Sequence, residues 1–148
     1  MSKKERILSW ILLVLCAAPI LAAVVGVQFL PDQIPVHYND VGEIERWGSK
    51  YEELILGVAF SLSGWILWLV SRFSGVFADT ETERVQAQAN AHIVRIAGIA
   101  VQLFLTVLEV VMLIGAAREA ATAALVSSVP LYKIIGIGCG LLFLVLGN

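Results

Sequence analysis

Residues 30–50 read LPDQIPVHYNDVGEIERWGSK, a polar stretch between two long apolar runs. Its reading decides the fold, because it fixes where the first run stops and the second begins. Pro31 and Pro35 hold φ and push Leu30 and Ile34 toward extended backbone. Helix is thereby excluded, and the chain is expected to leave the apolar run as a stiff, strand-like segment. His37, Tyr38, Asn39 and Asp40 then lead to Gly42, a context for a turn with positive φ. Glu43, Glu45, Arg46, Trp47 and Lys50 follow, a mixture of charge and aromatic surface suited to lipid headgroups. A connection of this length without obvious secondary structure is usually functional or disordered. Its prolines, tyrosine and tryptophan argue for order.

On either side the chain is built for lipid. It has 148 residues, of which 59% are hydrophobic and 15% charged, with a mean hydropathy of +0.86. A soluble domain carries roughly 25% charged residues. A bilayer core about 30 Å thick needs roughly 20 apolar residues per helix, and four segments approach or reach that length: 7–29, 54–70, 93–116 and 131–146. The expected fold is an all-α integral membrane protein, a single domain of four transmembrane helices with an ordered extracytoplasmic loop at 30–53 and a cytoplasmic loop at 71–92. The first apolar run exceeds a signal peptide's core and lacks a cleavage site after it, so it reads as a retained helix, bent at Pro19.

Short-loop Lys and Arg set the orientation. Lys3, Lys4 and Arg6 precede the first helix, Arg72 and Arg84 lie in the second loop, and Arg95 stands at the mouth of the third helix. The first loop has only Arg46 and Lys50, while Arg118 and Lys133 flank the third. The N-terminus is therefore expected in the cytoplasm and the 30–53 loop outside, with Trp10 and Trp68 near the cytoplasmic boundary. Thr80, Glu81, Thr82 and Glu83 form a capping-box sequence, so the third helix is expected to start near Glu81 and enter the membrane around Ile93.

Within that helix Arg95, Gln102, Thr106 and Glu109 are spaced by seven, four and three, which puts them on one face. Such a stripe must face protein or water. Glu109 has two readings: a proton-sensitive or ligand-facing group, or a neutral, hydrogen-bonded acid that joins helices. Lys133 is its expected partner, and no second intramembrane acid is apparent as a relay. Gly57, Ser61 and Gly64 make a small-residue stripe on the second helix, and Gly136 with Gly140 a GxxxG on the fourth. Packing within one bundle is the expectation for both.

The residue types exclude several function classes. A net charge of −2 with no basic patch beyond the N-terminal KKER speaks against nucleic acid. Cys16 and Cys139 lie in apolar runs without Cys or His spacing, so neither a disulfide nor a metal site is expected. His37 stands near Asn39 and Asp40, and His92 is expected across the membrane, so metal or acid–base chemistry in the loop has weak support. Hydrogen bonding that folds the loop onto the helix ends is the simpler role. No phosphate-binding loop, zincin motif or nucleophile–base set occurs, and neither catalysis nor a cofactor is expected.

The loop resembles the membrane module of unknown function at the N-terminus of SdpI-type proteins, which protect bacteria from a secreted peptide toxin. Leu30 and Pro31 fit its leucine-proline start, Pro35 its second proline, His37 and Asn39 its core, and Gly42 and Lys50 its later positions. Tyr38 stands where tryptophan is usual, keeping an aromatic ring. The resemblance extends weakly to the flanking helices and to the chain's end at Gly147 and Asn148, where full-length members continue into a second module. It implies a chain cut short, or a member reduced to its first module.

From the resemblance follows the leading expectation: a multi-pass protein of the bacterial inner membrane that gives immunity to a secreted peptide toxin or senses it, signalling to a cytoplasmic regulator. His37, Tyr38, Asn39 and Trp47 would meet the peptide, and residues 72–92 the regulator. The alternatives are a small transporter or transporter subunit using Arg95, Gln102, Thr106 and Glu109, and a structural subunit with no ligand of its own.

Overall fold

The computed structural model describes residues 2–122, 136–141 and 144. The first helix, α1, spans Lys3–Leu15 and starts under Ser2, whose hydroxyl accepts from the Glu5 amide at 3.2 Å. It stops before Pro19, whose ring would collide with the carbonyl of Leu15 in a continuous helix. A second helix, α2, resumes at Ala18–Gly26 and tightens into a single 3₁₀ turn at Val27–Phe29. The break frees backbone donors, and the hydroxyl of Ser61 accepts from the Ile20 amide at 3.1 Å. A neighbouring serine thus restores what proline removed, as apolar surroundings require.

Two strands follow, β1 (Gln33–Tyr38) and β2 (Ile44–Ser49), paired antiparallel. The pairing sets Ile34 opposite Gly48 and Pro35 opposite Trp47, with irregular register between Pro35 and Tyr38. This hairpin corrects the all-α expectation. Pro35 did foretell extended backbone, but the second half of the loop carries no alternation of apolar and polar residues to announce a strand.

A 3₁₀ turn at Lys50–Glu52 leads into α3 (Glu53–Phe73), and α4 runs over Glu81–Thr122. The capping box expected at the head of α4 is present: the Thr80 hydroxyl accepts from the Glu83 amide at 3.2 Å, and the Glu83 carboxylate accepts from the Thr80 amide at 3.1 Å. At 42 residues α4 is about 60 Å long, twice the bilayer core, so it projects beyond the apolar layer. It continues past 116 because the Ala-rich stretch that follows favours helix.

Among the described residues three helical stretches are long and apolar enough to cross a membrane: Lys3–Phe29, Lys50–Phe73 and Glu81–Ala121. Of the fourth expected span, 131–146, residues 136–141 are helical, and 131–135, 142–143, 145 and 146 lie outside the described residues, as do Gly147 and Asn148. No described atom lies within 4 Å of where a Cβ on Gly136 or Gly140 would stand.

Helix packing follows the small residues of α3. A Cβ on Gly57 would stand 2.6 Å from the Cβ of Ala23, and one on Gly64 would stand 2.8 Å from the sulfur of Cys16. Their absence lets the backbones approach closely, the usual device where water provides no driving force for packing. The interior is correspondingly polar for a small bundle: Ser9, Ser61, Ser71, Arg95, Gln102 and Glu109 are buried. Trp10, Val14, Leu21, Ile55, Ile66, Ile93 and Val107 point outward. Polar inside and apolar outside is the arrangement lipid demands.

Candidate functional site

The hairpin is assembled by the residues that stand out in the sequence. Asn39 folds its turn: its amide donates to the Glu43 carbonyl at 2.9 Å, its carbonyl accepts from the Gly42 amide at 2.9 Å, and its side-chain oxygen accepts from the amides of Val41 and Glu43 at 3.2 and 2.8 Å. Gly42 takes φ +86°, which only glycine adopts freely. The open end is closed by Lys50, whose ammonium meets the Asp32 carboxylate at 2.9 Å and whose amide donates to the Asp32 carbonyl at 3.2 Å. Ser49 and Glu52 then cap the turn into α3, and Arg46 reaches the same Glu52 at 2.9 Å.

The hairpin is seated on the helices through β1. Ile34 is fully buried in a core with Val27, Leu30, Leu113 and Ala116, and Pro35 is buried beside it. Tyr38 donates its phenolic hydrogen to the Glu119 carboxylate of α4. Burial pushes the phenol above its ordinary range, and the hydrogen bond and the charges of Glu119 and Glu53 act in the same direction. Tyr38 is therefore a neutral donor at physiological pH. Pro31 and Trp47 are exposed, and His37 is exposed with its Nε2 3.2 Å from the Glu45 carboxylate.

The loop residues singled out in the sequence thus divide by position. Leu30, Pro35, Tyr38, Asn39, Gly42 and Lys50 build or anchor the hairpin, and Pro31, His37 and Trp47 remain on the surface.

A second polar system runs along α4. At the end remote from the hairpin, the Glu5 carboxylate binds both His92, at 2.7 Å, and Arg95, and Arg95 also donates to the Ser71 carbonyl at 3.0 Å. Two turns on, the fully buried Gln102 donates to the Phe60 carbonyl at 3.2 Å, and Thr106 returns its hydroxyl to the Gln102 carbonyl at 2.7 Å. Glu109 lies nearest the hairpin. It is fully buried, and neither carboxyl oxygen has a hydrogen-bond partner among the described residues. Lys133, its expected partner, lies outside those residues.

Residues 14–62 match a family model described as Domain of unknown function (DUF1648). Comparison with curated proteins and with solved structures gave no match. The DUF1648 region starts at the end of α1, takes in α2 and the whole hairpin, and ends in α3 just past Ser61. It therefore contains every loop residue named above and the Gly57 and Ser61 contacts to α2. Arg95, Gln102, Thr106 and Glu109 fall outside the DUF1648 region.

Three acids that the sequence left unremarked complete these sites. Glu5 looked like part of a basic tail, yet it holds α1 to α4. Glu119 lies 81 residues from Tyr38, and nothing local links the two. Glu53 directly follows the hairpin and begins α3, with a buried, unpartnered Oε2 and a charge within electrostatic reach of both Tyr38 and Glu109. Its place at a helix start, where acids are common, hid it.

Proposed function

We propose that this chain is a bacterial membrane protein of the SdpI type that recognises a membrane-active peptide through the hairpin, giving immunity to it or reporting it to a cytoplasmic partner, without catalysis. The observation that supports this reading is the exposure of β2. All of its residues but the half-buried Gly48 are exposed, and among the described residues its outer edge pairs with no other strand. An extended peptide adding alongside β2 would gain main-chain hydrogen bonds from that edge. Trp47, His37 and the 79% exposed Val41 of the turn would then read its side chains. Membrane-active peptides concentrate in the headgroup layer, where a hairpin rooted between two spans would stand.

The test is survival of cells expressing the wild type, His37→Ala, Trp47→Ala or Glu109→Gln under challenge by secreted membrane-active peptides, with membrane levels matched. Protection by the wild type, lost in His37→Ala or Trp47→Ala and kept in Glu109→Gln, is expected. Loss confined to Glu109→Gln would favour the second reading, a small transporter using the α4 stripe, for which the buried, unpartnered Glu109 speaks. No protection by the wild type at good expression would overturn the immunity reading.

A further inference from the structure

The interior beside the hairpin holds acceptor oxygens without donors. Both oxygens of Glu109, Oε1 of Gln102 and Oε2 of Glu53 are buried and unpartnered among the described residues, and Glu109 and Gln102 are 0% exposed. Among the described residues an ionised carboxylate there has neither solvent exposure, nor a counter-ion, nor a hydrogen-bond donor, and the group resolves this by keeping its proton. The titratable groups around Glu109 deepen the effect. Among the described residues the charge that reaches Glu109 is that of Glu53 on α3; Tyr38 of β1 and Glu119 of α4 are paired with each other, the Cys16 thiol after α1 lies at Gly64 beside Gln102, and Lys50, one turn before Glu53, is paired with Asp32. None of these pairs a cation with Glu109.

From this geometry we infer that Glu109 is a proton-binding site inside the membrane, electrostatically coupled to Glu53 at the foot of the hairpin. The ligand is a proton. Two acids within reach of each other in a poorly hydrated site do not ionise together readily, so loss of the proton from one is opposed by the charge of the other. Glu53 lies two residues after the exposed Tyr51 and is itself only part-buried, which makes it the member nearer to water. Exchange of the Glu109 proton therefore runs toward the hairpin side. Toward the opposite end of α4 stand Gln102, whose amide donates to the Phe60 carbonyl, and the Glu5 and Arg95 pair. The site stands whether or not the hairpin binds a peptide.

The test is infrared spectroscopy of the full chain in lipid vesicles, following the carbonyl stretch of protonated carboxylic acid across a pH titration. The wild type should show this band at neutral pH, Glu109→Gln should lose it, and Glu53→Gln should keep it but move its midpoint to lower pH, since a like charge has gone. Should Glu109→Gln fail to accumulate, Glu109→Asp retains the acid and displaces the band frequency, which assigns it equally well. A wild type without the band at neutral pH means an ionised, paired Glu109 and overturns the site. A band unchanged in both Glu109 variants places the proton elsewhere and does the same, and a midpoint unmoved in Glu53→Gln overturns the coupling.

Discussion

Gly42 and Gly115 offer one substitution with opposite consequences. Both have open space where a Cβ would stand among the described residues, so neither change to alanine meets a neighbour. Gly42 holds φ +86°, however, and an L side chain there is strained, so Gly42→Ala should cost about 1 kcal/mol. Gly115 lies within α4, where alanine is the better helix former, so Gly115→Ala should add up to about 1 kcal/mol. Thermal unfolding of the two variants in the same detergent measures both, and a shift of the same sign in each would contradict the assigned turn. Gly42 was legible in the sequence because Asn39 and Gly42 announce a turn by their chemistry. The Tyr38 contact to Glu119 was not, because it depends on how far α4 continues beyond the apolar layer.

The elements are held at two ends by different means, and the end remote from the hairpin depends on charge. Glu5 of α1 meets His92 and Arg95 of α4, with the Arg95 side chain only 6% exposed and that of Glu5 22% exposed. Breaking a buried pair costs about 3–5 kcal/mol and an exposed one at most about 1. Glu5→Gln, which keeps shape and removes charge, should therefore destabilise the bundle by about 2 kcal/mol. Denaturation at low and high salt checks it: a partly buried pair predicts a difference between variant and wild type that salt reduces only slightly. The first three spans and the capping were readable at this scale, since apolar run length and the Thr80 to Glu83 pattern carry their own physics. The hairpin was half readable. β1 declares itself by prolines and by Ile34, whereas β2 is a charged, exposed strand that exists because the Asn39 turn and the Lys50 to Asp32 clasp bring it alongside.

At the scale of the molecule, the inward-facing polar groups and outward-facing apolar ones follow from a single solvent, lipid, and the orientation in that solvent decides which functions are open to the hairpin. The hairpin lies between the first and second spans and residues 74–80 between the second and third, so the two must face opposite sides. Among the described residues Lys3, Lys4, Arg6, Arg72, Arg84 and Arg95 belong to one end of the bundle, against Arg46, Lys50 and Arg118 at the other. The rule that positive residues stay in the cytoplasm counts Lys and Arg rather than net charge, so the Glu52 and Asp32 partners of Arg46 and Lys50 do not alter the comparison. Six against three is the ground for expecting the hairpin outside. With Cys16 and Cys139 replaced by alanine, a membrane-impermeant thiol reagent applied to intact cells should label Trp47→Cys and leave Gln86→Cys unlabelled until the membrane is opened. The reverse pattern would turn the hairpin toward the cytoplasm. A secreted peptide could then no longer reach His37 and Trp47, and the Glu109 proton would exchange with the cell interior instead.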